Sequence, residues 1–494
     1  MPSTVTLDLD VLRQIIWSSD RQTCAALILL CRFFYEEAAK RILHDPVIFS
    51  YHRDVWTFVR FLGPQPQARA RYVRELHFSL TRLSLQAMHA LEGPISHMDR
   101  LESLVIDQGD DFLDFCPSLG EALAGLTSLR RLRIYFAAEL TCNFLKALQS
   151  DLVSMSLDWT YCDDSWFTEH SMADEDWAAF HPVPLLAKWH STLEELHCEN
   201  WHNTSQLPVF TDVYPNMRRL TIDFDKLPLV TPYIRAYPNL SRLSAQTNHD
   251  ENIKYPEDAD LIRQHRALNI ASQEAVGGPG TWRCLGEYVG CFADLYLLGL
   301  TCRISRIALT TQMTDLHLEL LSTVLSYAQP KHLKLEGDVS LLGHSTHSLP
   351  AILRGPASSR LESLVLKVDL ETNETSLDVG AALNALASAL AKRSLRRLRL
   401  RVVAKDPRPK PRLPAYFLAH ESELETTQAP RTGADIKYAL QELNIDAFMG
   451  GIPSLTDAIV EFRSPRRSGD RQRKIVPEHP ELPGAHDPHM YEII

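Results

Sequence analysis

The residues best suited to chemistry in this chain are thinly placed. The stretch "LHCENWH" brings His197, Cys198 and His202 close together. That donor set would suit zinc, but no second pair of ligands stands near it, and Cys198 falls on an inward position of a strand pattern. Cys284, Cys291 and Cys302 lack the close pairing that a zinc ribbon needs. There is no P-loop, no G-x-G-x-x-G following a strand and no G-x-S-x-G, and "GGPG" at 277–280 reads as a turn. These observations predict no catalytic residue, no metal and no cofactor, and hence a protein that is not an enzyme.

One segment has a different kind of chemistry. Residues 158–176, "DWTYCDDSWFTEHSMADED", hold seven acidic residues and neither lysine nor arginine, with Trp159 and Trp166 among them. Carboxylates beside aromatic planes suit arginine, so Asp163, Asp164, Trp166, Asp174 and Asp176 are candidates for contact with a basic partner. The plainer reading is a solvated loop. At the other end of the chain "LRRLRLRVV" places Arg399 and Arg401 on outward strand positions, which makes a second, basic candidate surface.

The elements that carry these residues repeat. A cassette of the form L-x-x-L-x-L recurs as "VRELHF" at Val73, "LESLVI" at Leu101, "LRRLRI" at Leu129 and "LVSMSL" at Leu152. It continues as "LEELHC" at Leu193, "MRRLTI" at Met217, "LSRLSA" at Leu240 and "ISRIAL" at Ile304. Further copies are "LESLVL" at Leu361, "LRRLRL" at Leu395 and "LQELNI" at Leu440, with looser ones near Leu333 and at Leu455. Alternation predicts a short strand whose fourth and sixth positions point inward and whose fifth, such as His77, Arg133, His197, Thr221, Lys334 and Arg399, points outward.

Between cassettes lie amphipathic helices, as in "SLDVGAALNALASALAKRS", where Leu383, Leu386 and Leu390 share a face. Leu76, Leu104 and Leu132 are 28 residues apart, and Leu196, Leu220 and Leu243 lie 24 and 23 apart. Such strand–helix units cannot bury their own faces and must stack. The expected fold is α/β: a curved solenoid of degenerate leucine-rich repeats over 49–464, interrupted at 158–192, 248–303 and 403–436. A conventional doubly wound α/β domain is the alternative.

A separate module precedes the repeats at 1–48. "VLRQIIW" and "RQTCAALILLCRFFYEEAAKRIL" have helical spacing, with Leu27, Leu30, Cys31, Phe34 and Ala38 on one face. Ile28, Leu29 and Phe33 are also apolar, so the second run is apolar nearly all round, and a partner surface is implied. The order of these residues resembles an F-box: Leu7, then Val11-Leu12, Ile15-Ile16, a gap, and the cluster Leu30, Cys31, Arg32, Phe33, Phe34 and Tyr35. Asp8 stands where that family has proline, and "WSSD" replaces the leucine that ends its first helix.

With the repeats that follow, the chain resembles the F-box/leucine-rich-repeat class, which implies a three-helix N-terminal module. The resemblance further implies a substrate-recognition subunit of a Skp/cullin/F-box-type ubiquitin ligase, with Leu7, Asp8, Val11, Leu12, Ile15, Leu30, Cys31 and Phe34 facing a Skp-type adaptor. The repeats would then select a protein substrate. The alternative is a leucine-rich-repeat scaffold that never joins a ligase.

Composition narrows the setting. A net charge of −11 disfavours indiscriminate contact with nucleic acid or anionic lipid, so neither is an expected partner. Nine thinly spread cysteines do not form a disulfide framework, and the chain's start lacks the pattern of a signal peptide. A reducing compartment, cytoplasmic and/or nuclear, is expected. Residues 465–494, proline-rich with little apolar pattern, are expected to lack regular structure.

Overall fold

A computed structural model describes residues 8–63, 66–80, 82–159, 181–201, 210–224, 227–247, 259–275, 280–283, 285–313, 315–343, 347–371, 378–405, 444–463 and 471–475. The chain divides into two compact units, Met1–Asp225 with Arg235–Asn239, and Lys226–Ile234 with Leu240–Ile494.

The first unit opens with three helices, α1 (Leu9–Ser18), α2 (Arg21–Leu27) and α3 (Arg32–His44). The apolar run expected to be one helix is divided in two. Leu29 and Leu30 turn back on Ala26 and Leu27 through i→i+3 hydrogen bonds, and Cys31, at φ −162°, is extended and starts α3. Four consecutive large residues, Leu27–Leu30, cannot all face one side, and the turn moves the last two outward.

Seven strands follow: β1 (Val47–Phe49), β2 (Glu75–Phe78), β3 (Ser103–Ile106), β4 (Arg131–Ile134), β5 (Ser154–Asp158), β6 (Glu195–Trp201) and β7 (Arg219–Phe224). Each pairs in parallel with the next, and Leu76, Leu104, Leu132, Met155, Leu196 and Leu220 stand in one register row. All six are buried, as the alternation predicts. Behind the strands, the helices of successive repeats pack on one another. Phe49, Phe78 and Phe112 continue the core as an aromatic series with centroids 5.3 and 4.7 Å apart. Repeats are also stitched by caps. Asp110, in the helix Gly109–Phe115, accepts hydrogen bonds from the backbone N–H of Ala138, Leu140 and Thr141 at 2.7, 2.8 and 2.9 Å, at the start of the helix Glu139–Ala147.

The second unit holds β8 (Arg242–Thr247), β9 (Leu285–Gly290), β10 (Ile304–Met313), β11 (His332–Asp338), β12 (Ser363–Glu371), β13 (Arg397–Lys405) and β14 (Asp457–Arg463), all parallel. The interval 248–303 therefore contributes a full strand, β9, to the sheet. It also contributes the helix Ala259–Glu274, whose buried Asn269 serves the neighbouring turns. The Asn269 side-chain oxygen accepts from Val230 N–H at 3.2 Å, and its amide donates to the carbonyls of Pro228 and Leu297 at 2.8 and 2.9 Å. Leu383, Leu386 and Leu390 are buried on the helix Val379–Ala391, capped by Asp378.

Two expectations are corrected. In "LQELNI" the last two residues begin the helix Ile445–Gly450, because the Asn444 side chain caps it at Ala447 N–H, 3.0 Å away; the preceding residues lie outside the described ones. Within 465–494, expected to lack regular structure, Arg471–Ile475 forms β15, antiparallel to β14, because the open edge of β14 offers it a full row of hydrogen-bonding partners. No described helix is long and apolar enough to cross a membrane.

Candidate functional site

In the N-terminal module the small core of Ile16, Cys24, Ala38 and Ile42 is completed by Leu27, Ile28, Phe33, Phe34 and Phe61. Of the residues expected on an adaptor face, Val11, Ile15 and Leu30 are 43%, 46% and 66% exposed, and Cys31 is exposed too. Leu12 is half-buried. Phe34 serves the inside of the module, and the Asp8 carboxylate caps α1 through Asp10 N–H at 3.0 Å. Leu7 lies outside the described residues. Leu9 and Trp17, which the sequence pattern did not single out, and Leu29, which it counted among the excess apolar residues, add to the exposed apolar surface at 53%, 44% and 84%. Seven such exposures in one short module exceed what scattered surface residues explain.

The acidic candidates Asp163, Asp164, Trp166, Asp174 and Asp176 lie outside the described residues. The basic ones are placed. Arg399 pairs with Asp457 at 2.8 Å and Arg401 with Glu461 at 2.8 Å, with the arginine side chains only 14% and 12% exposed. On the same face Lys367 pairs with Glu336. Burial alone would raise the Glu461 carboxyl, but hydrogen bonds from Arg463 and Arg401 outweigh it and hold it below the usual range. A free basic surface at this end is thus not what these two residues make, because the neighbouring strand brings its own acids into register.

The strand face of the first unit is more open. Glu75 and Arg131 reach across β3 to pair at 3.1 Å, and His77 Nε2 meets Asp107 at 2.7 Å. His197 Nε2 lies 2.8 Å from Glu199, while Cys198, on the other face, is fully buried and its thiol is pushed up by that burial. The two faces separate His197 from Cys198, and among the described residues no group of histidine, cysteine and carboxylates is placed to hold a metal ion.

Beyond the carboxyl ends of β1, β2 and β3 lies an open cleft of about 900 Å³, lined by Ser50, Tyr51, His52, Arg53, Ser79 and Arg82 among others. The Arg53 guanidinium lies 4.9 Å from the Tyr51 ring centroid and that of Arg82 4.1 Å from the Phe115 ring. Neither arginine belongs to a cassette, so the repeat pattern gave no sign of them.

No family model and no curated protein matches the chain. Among solved structures, the leucine-rich repeat-containing protein LegL7 from Legionella pneumophila is similar at 12% identity, over 66% of this chain and 94% of that one. The TM-score is 0.33, at which the likeness carries no argument. What stands on the chain's own geometry is an α/β fold of parallel strand–helix repeats, preceded by a helical module with exposed apolar residues.

Proposed function

We propose that this chain is the substrate-recognition subunit of a Skp/cullin/F-box-type ubiquitin ligase, held by its N-terminal helices to a Skp-type adaptor and using its repeats to select a protein substrate. The observation that supports this most is the exposure of Val11, Ile15, Leu29 and Leu30 on a module otherwise closed around Ile16 and Cys24. Apolar side chains left in water on so small a module are stabilised when a partner covers them. In this reading the chain performs no reaction step. It raises the effective concentration of a substrate beside a ligase-bound ubiquitin carrier, in the cytoplasm or nucleus.

A second reading, a repeat scaffold outside any ligase, is favoured by two details. Asp8 and Phe34, both expected at the adaptor, are used within the module itself. Co-purification with a Skp-type adaptor decides between the two. Wild type is expected to retain the adaptor, and Ile15→Asp and Leu30→Asp, placed on exposed positions that the fold does not need, are expected to lose it. If wild type never holds the adaptor, the ligase reading falls and the scaffold stands.

A further inference from the structure

The sheet of the first unit begins at β1, which pairs with β2 on one side only. Ser79 N–H donates to the Phe49 carbonyl at 3.0 Å, with Phe49 opposite Phe78. In a parallel pair this register turns the backbone groups of Val47 and Phe49 toward β2. The N–H and C=O of Ile48 therefore face the open edge, where no described group bonds them. A strand edge in this state is a template for one more strand. Shortness guards against that, and β1 has only three residues, but the surface beside it favours an addition.

A groove of about 370 Å³ runs along this side of β1, and neither β2 nor any later repeat lines it. Its depth is apolar, with Ile42 and Leu43 from α3 and Phe58 and Phe61 from the helix His52–Leu62. Ala25 of α2 and Thr57 of the helix His52–Leu62 are exposed and small, which keeps the groove open. None of the residues expected to face an adaptor lines it. Unpaired backbone groups next to an apolar groove fit an extended chain, whose own backbone bonds the edge while a large side chain enters the groove. A helix would leave Ile48 N–H and C=O unanswered, because its own backbone groups are already bonded.

Charge defines the occupant further. Arg21 lines the groove, is exposed and has no ion pair among the described residues. Asp20 and Asp45 flank the lining residues in sequence but are engaged, Asp20 with Thr23 N–H at 2.7 Å and Asp45 with Arg41. Asp54, the one carboxylate among the lining residues, accepts the backbone N–H of Ser50 and Tyr51 at 3.0 and 2.8 Å, and its other oxygen is 3.8 Å from Arg53 Nε. The cation left without a partner is Arg21, and a carboxylate on the incoming segment would pair with it.

We infer that the groove beside β1 is a docking site for an extended segment of a partner protein. The segment adds to the sheet edge as a strand at Ile48, with a large apolar side chain in the groove and a carboxylate on Arg21. This site is separate from the exposed apolar face of the N-terminal module, and its test needs no adaptor.

The experiment uses the full chain and a display library of random linear peptides, selected on wild type and counter-selected on Ala25→Trp, whose added ring fills the groove. Enriched sequences are expected to alternate large apolar residues and to carry an aspartate or glutamate. Affinity of the best one, as a labelled synthetic peptide, is read by fluorescence polarisation. Arg21→Glu is expected to weaken it about tenfold, and changing the peptide's acid to lysine to recover that factor on Arg21→Glu. Strand pairing is read on the peptide, which leaves the protein intact. N-methylation of single backbone amides is expected to abolish binding at the amide that faces Ile48 and to be tolerated at the amides on either side of it, since successive amides of a strand point opposite ways. Enrichment of no apolar–acidic pattern would overturn the inference. So would undiminished binding by folded Arg21→Glu, an N-methylation series without alternation, or self-association of the chain that Ala25→Trp removes, which would give the groove to a second copy.

Discussion

In the first unit β2, β3 and β4 are four residues long, and charges on their outward face pair by reaching over a neighbour, as Arg131 does to Glu75. In the second, β12 and β13 are nine residues long, and the outward charges meet the strand beside them, Arg399 with Asp457, Arg401 with Glu461 and Lys367 with Glu336. Long strands align more outward positions, so complementary charges close rung by rung and the face neutralises itself. Short strands give way sooner to loops, and in the loop after β2 Arg82 has no ion pair among the described residues.

The largest test of that comparison addresses the cores. Leu132 and Leu398 are equivalent inward positions, 2% and 0% exposed, and each change to alanine is expected to cost about 2–5 kcal/mol. Denaturant unfolding followed in both variants shows whether each loss belongs to its own unit. Two transitions, each moved by one variant only, are expected if the two compact units unfold independently, and one shared shift if the repeats are a single cooperative array.

A second test concerns acid. His181 is buried, its Nδ1 accepts Val183 N–H at 3.2 Å, and burial pushes its pKa from 6.5 down to about 3. Folded His181 stays neutral while the unfolded chain takes up a proton below pH 6.5. The His181 contribution to the first unit's stability is therefore complete above 6.5 and falls steadily as the pH drops toward 3, by about 2 kcal/mol at pH 5. In the second unit the Glu461 contribution is complete above its unfolded value of about 4.3 and is lost only below that, as the pH approaches the lowered folded value. Thermal melts from pH 7 to 4 are expected to show His181→Gln flattening the slope between 6.5 and 5. A slope unchanged by that variant would show that other groups carry the acid sensitivity.

Smaller effects sharpen the same contrast. Asp110→Ala leaves the N–H groups of Ala138, Leu140 and Thr141 without their acceptor and is expected to cost about 1–3 kcal/mol, read by urea unfolding. Arg401→Ala, by contrast, leaves Glu461 still paired with Arg463 at 2.7 Å, and a loss of no more than about 1 kcal/mol is expected by the same measurement.

Much of the repeat fold was legible because one leucine period encodes both strand and burial: Leu104, Leu220 and Leu364 declare themselves by spacing. The short β1 was not, since "VIF" offers only three residues of alternation, and β9 was blurred by the glycines of "LGEYVG". "LQELNI" misled because a capping asparagine and a strand residue look alike in a six-residue pattern. The site was less legible than the fold for a different reason. Whether Arg401 is free depends on Glu461, sixty residues later, and only the register of β13 on β14 brings them together. Arg53, at the start of the helix His52–Leu62, and Arg82, in the loop after β2, share a cleft, a proximity that no local pattern announces.

β15 has a consequence for self-association. An uncovered outer edge of β14 would offer its backbone N–H and C=O groups to a strand of another copy of the chain. By running antiparallel along β14, Arg471–Ile475 replaces that edge with one of opposite direction and a run rich in arginine and lysine. A segment of five residues thus takes up the hydrogen-bonding groups that the β14 edge would otherwise offer to another chain.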